Sequence, residues 1–156
     1  MQAAHWSTLA DPYNWIVAVT TLAIVSLCVG THFEVLSRCN RYIAVVSRQR
    51  RRRVVVLILL ILLTHVVEMW YFAIGYYVLI GTFGLGSLVG AETNSLVDFA
   101  YYSAMTYTTV GFGDIAPLGA IRFMTGMEAL TGLVMITWSA SFTFLEMQRD
   151  WPPSER

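Results

Sequence analysis

The sequence predicts an all-α membrane protein built from three transmembrane helices, with a short re-entrant half-helix and a glycine-bearing strand between the second and third. Three observations carry this. Of 156 residues, 56% are apolar and 13% charged, with a mean hydropathy of +0.59, a balance that makes lipid the main solvent. Three apolar stretches are long enough to cross a hydrocarbon core of about 30 Å. The segment between the last two is not. The formal net charge is zero, yet all ten basic residues are arginine and seven of them (Arg38, Arg41, Arg48, Arg50, Arg51, Arg52, Arg53) share one short stretch. Charge is sorted by position along the chain.

Residues 1–36 hold the first span, an apolar run from Tyr13 to Gly30 that reaches Leu36 if His32 and Glu34 sit at an interface. Trp6, Tyr13 and Trp15 lie near its start, where amphipathic aromatics mark the headgroup level. Met1 to Asp11 carries no Lys or Arg. That speaks against a cleaved secretory signal and for a retained N-terminal span. Residues 37–53 form an arginine-rich loop, which the positive-inside bias puts in the cytoplasm. The first span therefore runs from outside to inside. Cys28 lies in the apolar run and Cys39 in the basic stretch, so a structural disulfide between them is not expected.

Residues 54–148 carry the rest of the membrane-embedded chain. The second span runs from Val54 to Ile80 and ends among Tyr71, Tyr76 and Tyr77. Gly81, Gly84, Gly86 and Gly90 then punctuate an external turn that contains Glu92. Leu96 to Tyr107 is twelve residues, about 18 Å as a helix, so it enters the membrane without crossing it. Ser95 with Asp98 three residues on fits a capping box at its start, and Pro117 suits the first turn of the following helix. The third span runs from Leu118 to Met147. Residues 149–156 form a short cytoplasmic tail with Arg149 and Arg156, too short for an appended nucleotide- or calcium-binding domain. The N-terminus is thus expected outside and the C-terminus inside.

The chemistry sits between the half-helix and the third span. Irregular backbone at membrane depth is tolerated only where protein buries it or where it lines a polar pathway, because lipid satisfies no N–H or C=O. The string Thr108-Thr109-Val110-Gly111-Phe112-Gly113-Asp114 is such a backbone. Its alternate glycines allow positive φ at Gly111 and Gly113, so successive carbonyls can point to one side. Four copies around an axis would stack oxygen rings from Thr109, Val110, Gly111 and Phe112, with the Thr109 hydroxyl innermost. Such rings replace the water shell of a passing cation without any charged ligand.

This string, with the preceding Tyr101-Tyr102-Ser103-Ala104-Met105-Thr106-Tyr107, resembles the pore loop of potassium channels, whose filter is a worked example of carbonyl selectivity. The resemblance covers residues 54 to 148 in the two-helix pore architecture of bacterial channels, and leaves the first span outside it. It implies a homotetramer with K+ held at Thr109, Val110, Gly111 and Phe112, a filter closed by Gly113, a half-helix whose C-terminal dipole favours a cation in a central cavity, and a third span lining the inner pathway. No cofactor is implied beyond the permeant K+, and a bacterial inner membrane suits the compact layout. Thr108, Asp114, Tyr101, Tyr102 and Met105 would support the filter. Phe112 stands where many members have tyrosine, Tyr101 and Tyr102 where tryptophans are common, and Met105 where some carry a glutamate behind the filter. The aromatic collar must be fastened differently here.

Several residues admit two readings. Arg50 to Arg53 are contiguous, unlike the every-third-residue spacing of a voltage-sensing helix, and read as a topology anchor that also attracts anionic lipid at about 1 kcal/mol per arginine. His65, Glu68 and Glu128 are ionisable groups at membrane depth, each a packing group or a gating and pH-sensing one. The spacing lets all three meet. His65 and Glu68 alone fall short of the three or four ligands of a metal site. Gly132 is a hinge or a close-packing position. Ile136, Ala140 and Phe144 recur with it at helical spacing and line an inner cavity or face lipid. The functional alternatives are a weakly selective cation channel and a non-conducting membrane subunit that binds a partner. An enzyme is the weakest, because neither a nucleophile-base pair nor a complete metal set is evident in the sequence.

Overall fold

The computed structural model describes residues 12–46, 50–90 and 95–150. Trp6, Arg48, Glu92 and Arg156, and the side chains of Arg50 and Arg51, lie outside the described residues. Helix α1 spans Pro12–Val46, α2 Arg50–Gly81, α3 Leu96–Tyr107 and α4 Ile121–Asp150; two short strands, β1 (Gly86–Val89) and β2 (Ala116–Gly119), flank α3 in sequence. The chain is an all-α integral membrane protein with three spanning helices. Their apolar portions run Pro12–Cys39, Arg52–Gly81 and Ile121–Arg149, each longer than the about 20 residues a crossing needs.

Two boundaries differ from the sequence expectation. Helical backbone continues to Val46 and resumes at Arg50, so most of the arginine-rich segment extends the helices instead of forming a loop. Arginine is a good helix former, and the segment contains no Gly or Pro to stop it. Pro117 is also not in the first turn of α4. It sits in β2, where it faces Leu88 of β1 in an antiparallel pair registered Gly86↔Gly119 and Val89↔Ala116. The third span accordingly starts at Ile121, past Leu118. This ribbon ties the chain entering α3 to the chain leaving it. A Cβ on Gly90 would overlap the Asp114 carbonyl, so glycine is required where the two segments cross.

The core forms where α2, α3 and α4 meet: Phe72, Ala73, Tyr76 and Leu79 pack with Phe99, Tyr102 and Tyr107 and with Ile121, Met124 and Met135. Helix α1 packs on both α2 and α4 and adds Val17 and Cys28. Cys28 and Cys39 are both buried free thiols. Long stripes of α1, α2 and α4 stay exposed, among them Val19, Leu22, Leu59, Leu63, Leu130 and Leu133. That is the expected surface of helices whose solvent is lipid or another membrane helix.

Candidate functional site

Helix α3 is fixed at its start by a capping box. The Ser95 Oγ accepts from the Asp98 N–H at 3.3 Å and the Ser95 N–H donates to Asp98 Oδ2 at 2.8 Å. At its other end the carbonyls are taken up by the strand that follows. The N–H groups of Thr108, Thr109 and Gly111 donate to Ala104, Thr106 and Met105 at 3.2, 3.0 and 3.2 Å. The Thr108 hydroxyl donates to the Ala104 carbonyl at 2.7 Å. Beyond this point φ is 60° at Thr109, 51° at Gly111 and 79° at Gly113. The left-handed region thus recurs at every second residue. Gly111 and Gly113 have open space around a notional Cβ, so backbone conformation, not crowding, calls for glycine there. Thr109 takes the same region with a side chain, at a typical cost of about 1–3 kcal/mol.

In the isolated chain this strand lies open. Val110 is 55% and Phe112 70% exposed. Behind it is a cavity of about 190 Å³ lined by Tyr101, Tyr102, Met105, Thr106, Phe112 and Asp114, with neighbouring residues of the strand. The Tyr101 hydroxyl donates to Asp114 Oδ2 at 2.7 Å, joining two residues that line this space. This bond to the carboxylate is the main reason the Tyr101 phenol is held above its ordinary pKa. Asp114 therefore has a partner although Met105 offers no carboxyl. Tyr102 serves another purpose: its hydroxyl lies 2.9 Å from Thr125 Oγ1 on α4 and ties the half-helix to the third span.

Two buried polar clusters support α3 from behind. In the upper one Glu128 accepts from the Tyr76 hydroxyl at 2.6 Å and from the Ser103 hydroxyl, joining α4, α2 and α3. In the lower one Glu68 accepts from the Tyr107 hydroxyl. The Nδ1 of His65 is 3.2 Å from Glu68 Oε2 and 3.1 Å from the Tyr107 hydroxyl oxygen. His32 Nδ1 is 2.9 Å from Glu68 Oε1. Ser139 Oγ lies 3.0 Å from His32 Nε2 and 3.2 Å from His65 Nε2. All four helices contribute to the lower cluster.

His65 and Glu68 thus meet, but Glu128 does not join them. Glu68 lies thirteen residues below the end of α2 at Gly81, whereas Glu128 is seven residues into α4, or about 20 Å and about 10 Å deep at 1.5 Å per residue. The ribbon that moves the start of α4 to Ile121 accounts for the offset. Sequence reading missed His32 as a member of the cluster. The available signal was an ionisable residue inside a span, which demands a polar partner.

Gly132 lies where α4 passes the end of α3, and a Cβ there would overlap the Tyr107 carbonyl. Packing accounts for this glycine without a hinge. Ile136, Ala140 and Phe144 share a cavity of about 510 Å³ with Thr108, His65 and Ser139, directly below the strand. Of the arginine cluster, Arg52 is exposed and Arg53 half-buried at the start of α2.

Comparison with known proteins agrees with this arrangement. A family model described as an ion channel (Ion_trans_2) matches residues 54–149. Protein LctB of Geobacillus stearothermophilus is 34% identical over 82 residues, covering 45% of this chain and 61% of that protein. Two-pore potassium channel 4 of Arabidopsis thaliana is 40% identical over 50 residues, 31% of this chain and 18% of the plant protein. Protein LctB of Bacillus caldotenax is 45% identical over 40 residues, 26% of this chain and 30% of that protein. The chain thus spans less than two thirds of the length of each of these relatives. No solved structure matches it. The family match takes in α2, the half-helix, the strand and α4, and leaves α1 outside. With its pore-loop string and this match over most of its length, the chain belongs to the ion channel family.

Proposed function

We propose that the protein is a passive, potassium-selective channel assembled as a homotetramer, with Thr109 to Gly113 as its filter. One observation carries the reading. A strand with left-handed residues at every second position lies open on one face of a membrane-embedded chain. Lipid cannot satisfy such a backbone, so the face needs further copies of the same strand or a polar conduit. Four copies around an axis supply both.

In this reading K+ exchanges its hydration shell for the carbonyl oxygens of Thr109, Val110, Gly111 and Phe112, and several ions in file keep each bound weakly enough to leave. The C-terminal end of α3 contributes its negative dipole end below the filter. Ile136, Ala140 and Phe144 line the water-filled vestibule. The arginines of residues 38–53 hold the inner ends of α1 and α2 at the cytoplasmic face and attract anionic lipid there, which sets the N-terminus outside and the C-terminus inside, in a bacterial inner membrane. The relative named a potassium channel supports the choice of ion.

The test is the reversal potential of the reconstituted, purified chain between potassium and sodium solutions. A value close to the potassium equilibrium potential supports the proposal. A value near zero makes it a weakly selective cation channel, and absence of current from folded protein makes it a non-conducting subunit.

A further inference from the structure

The lower polar cluster contains more metal-binding character than His65 and Glu68 alone. His32, from the helix outside the family match, brings a third ligand-bearing side chain. Ligand atoms of His32, His65 and Glu68 all lie within 4.8 Å of one another, on side chains that are 0%, 10% and 0% exposed.

The donors lie at hydrogen-bond separations that one shared ion could also bridge. His32 Nδ1 to Glu68 Oε1 is 2.9 Å, His65 Nδ1 to Glu68 Oε2 is 3.2 Å, and His65 Nδ1 to the Tyr107 hydroxyl is 3.1 Å. Zinc bonds of about 2.0–2.1 Å in a tetrahedron put neighbouring donors about 3.3 Å apart.

A count of protons shows how the same groups can hold an ion. Both Nδ1 atoms face one carboxylate, and both Nε2 atoms face one hydroxyl, Ser139 Oγ. A neutral imidazole has one N–H and a serine one O–H. If both rings carry their proton on Nδ1, two Nε2 lone pairs compete for the single Ser139 proton. If His65 carries it on Nε2, its bare Nδ1 accepts from the Tyr107 hydroxyl and the neutral cluster closes, with the Tyr107 proton shared between His65 and Glu68. With both Nδ1 lone pairs on a cation, both Nε2–H groups donate to the two lone pairs of Ser139 Oγ. Ligating histidines commonly fix their other nitrogen in this way.

We propose that His32, His65 and Glu68 form a binding site for a borderline divalent transition metal such as Zn2+ or Co2+, with the Tyr107 hydroxyl closing the fourth position and Ser139 orienting both imidazoles. Two nitrogens and a carboxylate favour such ions over Mg2+ or Ca2+, which take oxygen sets. Access runs through the cavity of about 510 Å³ that His65 and Ser139 line. A bound ion would bolt α1 to α2 and to the last residue of α3, which joins the filter strand. The site departs from the expectation that the chain carries no ion besides the permeant one, and it does not depend on which ion permeates.

The test is titration of the tag-free, chelator-stripped full chain in detergent with Co2+. The expected result is the visible spectrum of four-coordinate Co2+, saturating at one ion per chain and bleached by Zn2+. His32→Ala and His65→Ala should abolish it. His5→Ala, which removes the chain's third histidine, should leave it intact. Ser139→Ala keeps every ligand and should weaken affinity about 10–100-fold, an effect that a purely packing role for these residues would not produce. Circular dichroism and gel-filtration elution establish that each protein is folded. A folded wild type that gives no saturable four-coordinate spectrum overturns the site and leaves a hydrogen-bonded packing cluster in its place. So does a spectrum that survives in both ligand variants or is lost in His5→Ala.

Discussion

The hydroxyl of Tyr101 donates to a carboxylate oxygen of Asp114 at 2.7 Å, linking the middle of the half-helix to the residue just past Gly113. Both residues line the small cavity behind the strand. Phe112 has no hydroxyl and Met105 no carboxyl with which to duplicate it.

Removing this strut should loosen the filter without unfolding the protein. Tyr101→Phe is expected to lower selectivity for potassium over sodium and to hasten the decline of current during sustained conduction. Asp114→Asn, which keeps an acceptor oxygen, should do so less. Current decay and reversal potential in planar bilayers measure both effects, and unchanged behaviour in Tyr101→Phe would show that the filter is held by other contacts.

Gly132 and Gly126 form a matched pair on α4. A Cβ at Gly132 overlaps the backbone of Tyr107, whereas one at Gly126 meets nothing within 4 Å. Gly132→Ala should destabilise the protein by about 1–3 kcal/mol through overpacking. Gly126→Ala should stabilise it by about 0.5–1 kcal/mol by restricting the unfolded chain and favouring helix. Thermal unfolding in detergent separates the two; equal shifts would mean that α3 and α4 do not make this contact.

Glu128 is the shared acceptor of Tyr76 and Ser103, and all three residues are buried. Glu128→Ala removes the acceptor that Tyr76 and Ser103 share, while Ser103 keeps the Met69 carbonyl at 2.7 Å and Tyr76 keeps Thr125 Oγ1 at 3.3 Å, so the loss should be about 1–3 kcal/mol in all. Glu128→Gln retains one acceptor oxygen and should fall between wild type and alanine in melting temperature, with weaker assembly or altered opening. Assembly and currents identical to wild type from pH 5 to 8 in Glu128→Gln would remove this residue from the account.

What could be read from the sequence was what depends on local backbone. The capping box at Ser95 and Asp98 follows from residues three apart, and the left-handed conformations at Gly111 and Gly113 follow from glycines at alternate positions. The three spans were evident because lipid selects for apolar length. The ribbon was not, since its strands are four residues each: Gly86-Ser87-Leu88-Val89 reads as part of an external turn and Ala116-Pro117-Leu118-Gly119 as the start of the third span until they are paired. Nor was the partner of His32. Its carboxylate is 36 positions away, and only the packing of α1 against α2 and α4 selects Glu68 over water or headgroup. The same ribbon, by moving the start of α4 to Ile121, sets Glu128 a level above Glu68.

The central claim is that permeation runs through the backbone of the filter strand. Potassium efflux from liposomes containing the purified chain, measured beside Gly111→Ala, tests it directly. Alanine at a φ of 51° is disfavoured by about 1–2 kcal/mol per residue and brings a methyl group to the strand. The account predicts rapid potassium-dependent efflux from wild type and loss of that efflux in the variant, with assembly retained on gel filtration. Efflux of equal rate in the two proteins would contradict it.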